Sequence, residues 1–117
     1  MKSPFFFVLL LFLNIAAMAA NNNNEDDQKT WCVAKASAEE SVLMANIDYA
    51  CSQPGVDCAT VLRKGCPCFT PDTLLSHASL AMNLYYQSTG RNQWNCYFAN
   101  SGLIVITDPS YGSCIYQ

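Results

Sequence analysis

Aromatic and amide side chains are concentrated between positions 85 and 97, and residues of these types suit the binding of sugars. The set comprises Tyr85, Tyr86, Gln87, Arg91, Asn92, Trp94, Asn95 and Tyr97. The C–H face of a pyranose ring packs on the flat ring of Trp or Tyr, while amide and guanidinium groups hydrogen-bond its hydroxyls. The competing interpretation is that most of these rings simply build a small hydrophobic core.

Periodicity divides the aromatic rings between these two interpretations. Residues 94–98 are β-prone, and Cys96 points inward if it is bridged. Strand alternation then places Trp94 and Phe98 on the inner side of the sheet, whereas Tyr97 faces water.

The preceding helix is divided by its 3.6-residue period, which places Tyr85 in the core and Tyr86 at its margin. We therefore expect Tyr86 and Tyr97 to stack on sugar rings, with a smaller share for Trp94. Amide and guanidinium groups supply the hydrogen bonds. The predicted sugar-binding residues are Tyr86, Gln87, Arg91, Trp94, Asn95 and Tyr97.

Catalysis is the first alternative to a binding surface. A glycoside hydrolase needs two carboxylates held across a sugar ring in a deep cleft. The candidate carboxylates fit helix ends and turns equally well, and so small a domain has little room for an enclosed site. The candidates are Asp48, Asp57, Asp72 and Asp108. We therefore expect no enzyme activity and no catalytic residue.

His77 is the only histidine in the sequence. A Ser-His-Asp arrangement could be drawn only by choosing its partners freely, so a packed helix histidine is the better interpretation. Cys66-Pro67-Cys68 together with His77 weakly suggests a metal site. An exported chain oxidises such thiols, however, and their spacing matches no zinc pattern. We expect no metal ion and no other cofactor.

Two helices are predicted to position these residues. Ser37 and Glu40 have capping-box spacing, which predicts a helix from about Ala38 to Cys51. Thr70-Pro71-Asp72 predicts the start of a second helix, which runs to about Gln87.

The second helix has an apolar stripe at helical spacing that is expected to be buried, formed by Leu74, Ala78, Ala81 and Tyr85. Leu80 and Asn83 fall on the opposite face.

Residues 57–68 show no period and predict an irregular loop. Two β-prone runs, 94–98 and 103–107, are separated by Asn100-Ser101-Gly102 and predict a hairpin.

The start of the chain reads as an export signal followed by a polar segment. Lys2 precedes an apolar run and a small-residue cleavage zone, which predicts a signal peptide over residues 1–20. Residues 21–30 contain asparagines and acidic side chains with nothing to pack, so we expect them to be disordered. No hydrophobic tail for a lipid anchor follows Cys114, so no stable membrane anchor is expected.

Composition narrows the class of partner further. Without Lys2 the chain carries five basic against nine acidic residues, which gives no reason to expect nucleic acid as a partner. All seven cysteines lie between Cys32 and Cys114, and this density in a small exported chain indicates a framework of disulfides. Because seven is odd, at least one thiol is left over.

Five ordered motifs, with six cysteines in register, resemble carbohydrate-binding module family 43, also called the X-eight domain. The motifs begin at Trp31-Cys32, Ile47-Asp48-Tyr49, Phe69-Thr70-Pro71, His77-Ala78-Ser79 and Asp108-Pro109-Ser110. The resemblance covers Trp31 to Tyr116 and implies that residues 31–117 form one module. It implies an α+β fold, a small disulfide-stapled domain of two helices with a short antiparallel β-sheet.

The resemblance also implies a function and a disulfide pattern. The expected function is non-catalytic binding of β-1,3-glucan, a callose-like polysaccharide, by a secreted protein of the plant apoplast or cell wall. The family pattern pairs Cys32 with Cys96, Cys51 with Cys58, and Cys68 with Cys114. Cys66 then remains as the free thiol, because a partner at Cys68 is too near. A disulfide-linked dimer through Cys66 is compatible with this pattern.

One departure from the family concerns the affinity for glucan, since Leu80 stands where an aromatic residue, often tyrosine, is common.

The leading alternative function is a small secreted defence or lipid-binding cysteine-rich protein. Lipid-transfer proteins share the size, the export signal and the Cys66-x-Cys68 spacing, but they need adjacent cysteines, and this chain has none.

Overall fold

The computed structural model describes residues 28–117. The predicted signal peptide and residues 21–27 of the polar segment lie outside the described residues. Thr30, at the end of that segment, is held in the folded part of the chain. Its hydroxyl lies 2.7 Å from the Tyr86 hydroxyl oxygen, and its carbonyl oxygen accepts a 2.9 Å hydrogen bond from Gln87.

The described residues form a small α+β domain, which confirms the predicted fold class. The elements in chain order are strand β1 (Trp31–Ala34), helix α1 (Glu40–Cys51), helix α2 (Cys58–Val61), helix α3 (Leu74–Ser88), a 3₁₀ helix (Gln93–Cys96) and strand β2 (Gly102–Val105). The short helix α2 lies within the stretch predicted to be irregular. Its first turn is capped by the Asp57 carboxylate, which accepts a hydrogen bond from the Thr60 amide at 3.1 Å.

Both long helices begin later than the sequence pattern predicts. The capping box of Ser37 and Glu40 is not formed, because Glu39 is the N-cap of α1 and makes no side-chain capping bond. Before it, the Ala38 amide closes a turn on the Lys35 carbonyl at 3.0 Å. Helix α3 begins at Leu74, with the Thr73 hydroxyl accepting a 3.2 Å hydrogen bond from the Ser76 amide.

The predicted hairpin is wrong. Strand β2 pairs antiparallel with β1, so that Trp31 lies opposite Val105 and Ala34 opposite Gly102. The segment expected to be the first hairpin strand forms the 3₁₀ helix instead. Local β-propensity favoured a strand there, but the long-range pairing with β1 supplies the partner that β2 needs.

The second edge of β1 is closed by side chains of α3 rather than by another strand. The Cys32 amide donates to the Asn83 side-chain oxygen at 3.0 Å, and the Ala34 amide donates to the Ser79 hydroxyl at 3.0 Å. Ser79 and Asn83 are four residues apart, so they lie on the same helix face. Buried polar groups of this kind satisfy strand amides that would otherwise lack a partner.

This contact corrects the predicted helix phase. Leu80 and Asn83, expected on the outer face of α3, are 3% and 0% exposed. Helix α3 packs against α1 on one side and against β1 on the other, so most of its circumference is buried. Tyr85, predicted to be core, is only half-buried, whereas Tyr86 is buried.

Two hydrophobic clusters form the core, and each contains one disulfide. The first surrounds the Cys32–Cys96 bridge and includes Leu43, Met82 and Tyr86. The second surrounds the Cys68–Cys114 bridge and includes Trp31, Leu80 and Tyr116.

A third bridge joins Cys51 to Cys58 at the end of α1. These are the three pairs that the family resemblance implied. Cys66 is unbridged and half-buried, and its thiol lies 3.2 Å from the Thr60 carbonyl oxygen.

Gly102 marks a close approach between β2 and the 3₁₀ helix. A Cβ atom at this position would lie 1.8 Å from the Cys96 carbonyl oxygen, so only glycine allows the two segments to pack as they do. None of the helices within residues 28–117 combines the length and the apolar character that a membrane span requires.

Candidate functional site

Two large aromatic side chains project from the 3₁₀ helix into solvent. Trp94 is 74% exposed, and Tyr97, which caps the helix, is 61% exposed. A 3₁₀ helix has three residues per turn, so positions 94 and 97 lie above one another on the same face. The predicted strand alternation is therefore wrong for Trp94, which faces solvent with Tyr97 rather than the core with Cys96.

These two rings border an open groove of about 380 Å³, here called groove A. Helix α1, helix α3 and the segment after the 3₁₀ helix supply its remaining walls. Its lining residues are Ala45, Asn46, Tyr49, Tyr85, Trp94, Asn95, Tyr97, Phe98 and Ala99. Groove A thus gathers five aromatic rings from three parts of the chain.

Three of the rings in groove A pack edge to face against one another. The Tyr49 and Tyr85 ring centroids are 5.5 Å apart, and those of Tyr85 and Phe98 are 5.7 Å apart. The hydroxyl oxygens of Tyr49 and Tyr85 lie 3.5 Å from each other. This hydrogen-bond contact with Tyr85 raises the pKa of the Tyr49 hydroxyl above its ordinary value, so the Tyr49 ring stays neutral at physiological pH.

The floor of groove A rests on a backbone turn with an unusual conformation. Phe98, Ala99 and Asn100 have φ values of 45°, 51° and 67°, which place three successive non-glycine residues in the left-handed region. Left-handed residues with a Cβ cost roughly 1–2 kcal/mol each. The surrounding contacts must therefore hold this turn in place.

Those contacts come from both sides of the turn. The Ser101 amide donates to the Phe98 carbonyl at 3.1 Å, and the Gly102 amide donates to the Tyr97 carbonyl at 3.2 Å. The Lys35 ammonium donates to the Asn100 side-chain oxygen at 2.9 Å. The strained turn is thus tied to the residue that follows β1 and to the start of β2.

A second groove, groove B, lies on the other side of Trp94 and Tyr97. It has a volume of about 570 Å³ and runs between the 3₁₀ helix and β2. Its lining residues are Lys35, Gln93, Trp94, Cys96, Tyr97, Gly102, Leu103 and Ile104. Trp94 and Tyr97 therefore line both grooves and form the ridge between them.

Tyr86 does not belong to this surface, and its predicted stacking role is wrong. The ring is 2% exposed, and its hydroxyl bonds Thr30. Gln87 is likewise used within the fold, since its amide donates to the Thr30 carbonyl at 2.9 Å and to the Asn83 side-chain oxygen at 3.2 Å. Both residues anchor the segment that enters β1.

Arg91 and Asn95 are separated by the fold. Arg91 lines a different, more polar groove of about 520 Å³, together with Gln28, Thr30 and Asn92. Asn95 lines groove A, although its side-chain oxygen is buried and has no hydrogen-bond partner. The structure thus places Trp94, Asn95 and Tyr97 together, and it leaves Tyr86, Gln87 and Arg91 outside.

Sequence reasoning missed Tyr49 and Phe98 as members of this surface, and it assigned Tyr85 to the core. A signal for Tyr49 was present, because it lies off the apolar face that Leu43 and Ile47 share on α1. No such signal existed for Phe98, whose direction depends on the left-handed turn.

The candidate carboxylates lie outside groove A: Asp57 caps α2, Asp108 lies in a turn, and Asp48, expected at a helix end or turn, is exposed within α1. Asp57 accepts hydrogen bonds from the Thr60 hydroxyl and amide, and Asp108 accepts them from the Ser110 hydroxyl and amide. These bonds lower the pKa of both carboxyls below their ordinary range. A general acid in glycoside hydrolysis needs the opposite shift.

His77 has a structural role. Its Nε2 atom lies 2.8 Å from the Phe69 carbonyl oxygen and 3.7 Å from an Asp72 carboxylate oxygen. Within residues 28–117, no cluster of three or more His, Cys, Asp or Glu side chains could hold a metal ion.

Comparison with known proteins places this arrangement in a family. Residues 30–103 match the X8 domain. The chain is 51% identical over 88 residues to the major pollen allergen Ole e 10 of Olea europaea. The aligned segment covers 75% of this chain and 71% of the allergen.

Two longer proteins contain a similar segment. The chain is 48% identical over 85 residues to a glucan endo-1,3-beta-D-glucosidase of Olea europaea, covering 73% of this chain and 18% of that protein. It is 46% identical over 89 residues to glucan endo-1,3-beta-glucosidase 12 of Arabidopsis thaliana, covering 76% of this chain and 16% of that protein. The chain thus spans less than a fifth of either glucosidase. On the family match and on these identities, the chain belongs to the X8 domain family.

Proposed function

We propose that the protein binds β-1,3-glucan, a callose-like polysaccharide of the plant cell wall, in groove A and does not cleave it. The observation that carries this proposal is the exposure of Trp94, Tyr97 and Tyr49 around one open groove, at 74%, 61% and 52%. Exposed flat rings of this kind stack on the C–H faces of sugar rings. The tyrosine hydroxyls that line the groove can hydrogen-bond the sugar hydroxyls.

The choice of β-1,3-glucan is supported by the relatives. The glucosidases that share this module act on that polymer according to their names, and they carry the module beside more than four fifths of additional chain. A module attached to such enzymes is suited to holding the same polymer. Secretion to the apoplast or cell wall is part of this proposal.

The absence of cleavage is supported by the lining of groove A. Hydrolysis of a glycosidic bond requires a pair of carboxyl groups on either side of it. The described residues that line groove A include no Asp or Glu. The groove can therefore hold a sugar chain but offers no general acid.

Affinity for a single sugar is expected to be weak. Each stacked ring contributes roughly 1 kcal/mol, which is about a fivefold change in Kd. Useful binding then depends on many equivalent sites along a polymer.

The direct test is a titration of the folded domain with soluble β-1,3-glucan, followed by tryptophan fluorescence. Of the two tryptophans, Trp31 is 7% exposed and Trp94 is 74% exposed, so the signal reports on binding at the ridge between groove A and groove B. Tyr49 lines groove A and not groove B, so its substitution separates the two grooves. Tyr97→Ala and Tyr49→Ala should each raise Kd several-fold with little change in Tm. Ile106→Ala is the matched control, because Ile106 is 70% exposed and lines neither groove A nor groove B.

Tyr85→Ala should lower both Tm and affinity, since this ring is half-buried and also lines groove A. Unchanged binding after loss of both Tyr49 and Tyr97 would disprove the choice of groove. Cellulose serves as a control polysaccharide. Displacement of a fluorescent lipid by the protein would instead support the lipid-binding alternative.

A disulfide-linked dimer through Cys66 is a separate part of the proposal. Cys66 is the one cysteine outside the three bridges, and it is half-buried rather than enclosed. Non-reducing electrophoresis of the native chain and of Cys66→Ser tests it. A dimer that persists in Cys66→Ser would contradict this assignment.

A further inference from the structure

Groove A and groove B share one wall, and that wall consists of the two most exposed rings of the 3₁₀ helix. Trp94 and Tyr97 each line both grooves. The volumes, about 380 and 570 Å³, each lie in the range of roughly 300–1,000 Å³ that is typical of small-ligand sites. A ligand stacked on one side of this ridge therefore lies next to a second open site.

The two grooves differ in chemistry. Groove A is walled by tyrosine and phenylalanine rings, whereas groove B presents the Lys35 ammonium, the Gln93 side chain and the apolar Leu103. Lys35 is fixed by its 2.9 Å hydrogen bond to Asn100. Gln93 and Leu103 are exposed. Groove B thus offers hydrogen-bond donors and the apolar side chains of Leu103 and Ile104, which suit sugar hydroxyls and C–H faces.

We propose that one glucan chain crosses the Trp94–Tyr97 ridge and occupies groove A and groove B at the same time. The ligand is therefore a stretch of β-1,3-linked chain several glucose units long rather than a disaccharide. This inference rests on the proposed function and adds to it a requirement for chain length.

The proposal predicts a dependence of affinity on the number of glucose units. A disaccharide can fill groove A alone, whereas a longer oligosaccharide gains contacts in groove B. Each additional stacked or hydrogen-bonded unit is expected to lower Kd about fivefold until both grooves are filled. Beyond that length the Kd should change little.

The experiment measures Kd for β-1,3-linked oligosaccharides from the disaccharide to the heptasaccharide, in the intact domain and in groove B variants. Leu103→Glu removes the exposed apolar side chain of groove B and places a charge there. Ile106→Glu is its matched control on the same edge of the domain, since it makes the same substitution three residues later, at a side chain outside both grooves. Gln93→Ala is a second groove B variant, at a residue of the 3₁₀ helix rather than of the sheet.

The expected result is that Leu103→Glu and Gln93→Ala weaken binding of the longer oligosaccharides and leave disaccharide binding unchanged. Ile106→Glu should keep the full length dependence. If the groove B variants keep that dependence, or if the intact domain binds the disaccharide as tightly as the heptasaccharide, the proposal is overturned while glucan binding in groove A stands. If no oligosaccharide and no β-1,3-glucan polymer binds, both proposals fail.

Discussion

The side-chain amide of Asn46 donates a hydrogen bond to the Ser101 hydroxyl oxygen at 2.8 Å, across 55 residues of sequence. Both side chains are buried, at 7% and 5% exposure. The Ser101 hydroxyl in turn donates to the Phe98 carbonyl oxygen. This chain of bonds ties helix α1 to the left-handed turn and so fixes the width of groove A.

Loss of the Asn46 amide should destabilise the domain. Asn46→Ala leaves the buried Ser101 hydroxyl without its donor and removes the tie to α1, at an expected cost of about 1–3 kcal/mol in the free energy of unfolding. Asp48→Ala, an exposed substitution on the same helix, should cost under about 0.5 kcal/mol. Urea unfolding of both variants measures the difference, and equal values would show that the bond contributes nothing.

A glycine substitution in the left-handed turn should remove backbone strain and stabilise the domain. Ala99 has a φ of 51°, where a Cβ is unfavourable, so Ala99→Gly should stabilise the domain by up to about 1 kcal/mol despite the greater freedom of the unfolded chain. The same substitution at Ala45, in the regular helix α1, should instead destabilise by about 1 kcal/mol. Opposite signs in urea unfolding are the expected outcome, and a loss of stability in Ala99→Gly contradicts the assignment of strain.

Stability should fall at high pH because of Tyr116. This ring is 6% exposed, and its burial raises the pKa of the hydroxyl to about 12 from an ordinary value of about 10. The folded state favours the neutral form. The stabilisation is therefore complete below pH 10 and is lost as the pH rises from about 10 through about 12.

Tyr116→Phe isolates this effect, because the variant keeps the buried ring but cannot ionise. The free energy of unfolding of the variant should exceed that of the unchanged chain by an amount that grows to roughly 2–3 kcal/mol between pH 10 and pH 12. The remaining tyrosines affect both proteins alike. The measurement is urea unfolding at each pH, in a Cys66→Ser background to prevent thiol exchange. Parallel pH profiles for the two proteins would contradict the buried assignment.

The disulfides should contribute unequally. The Cys32–Cys96 bridge closes a loop with a sequence separation of 64, against 7 for Cys51–Cys58. Loop entropy then favours the long bridge, with about 4 kcal/mol against about 2.5 kcal/mol. Paired replacement of each bridge by alanines tests this without creating new thiols. The Cys32–Cys96 pair should give the larger fall in Tm, and equal falls would count against the entropic explanation.

The sequence by itself determined the family, the fold class and the approximate extent of α1 and α3. Six cysteines and five motifs occur in a fixed order along the chain, so they identify the family without knowledge of any contact. Helical periodicity located α1 and α3 because it is a local property of consecutive residues. Sequence also included Trp94, Asn95 and Tyr97 among the candidate site residues, because aromatic and amide side chains are concentrated between positions 85 and 97.

Tertiary structure decided which faces of these elements are buried. Asn83 looks like a surface residue by its type, but it is 0% exposed because its side chain accepts the Cys32 amide proton. That bond spans 51 residues, so no local pattern contains it. Tyr86 is buried and Tyr85 is only half-buried, the reverse of the expectation, because α3 packs on β1 as well as on α1.

Tertiary structure also decided the period of the aromatic segment. Residues 93–96 follow a three-residue repeat because β2 pairs with β1 and leaves the preceding segment without a strand partner. Trp94 and Tyr97 therefore face the same way, whereas a two-residue repeat would have placed them on opposite sides. Tyr49 joins them only through the packing of α1 on α3. The residue types of the site can be read from the sequence, but their arrangement depends on contacts between segments that are distant in sequence.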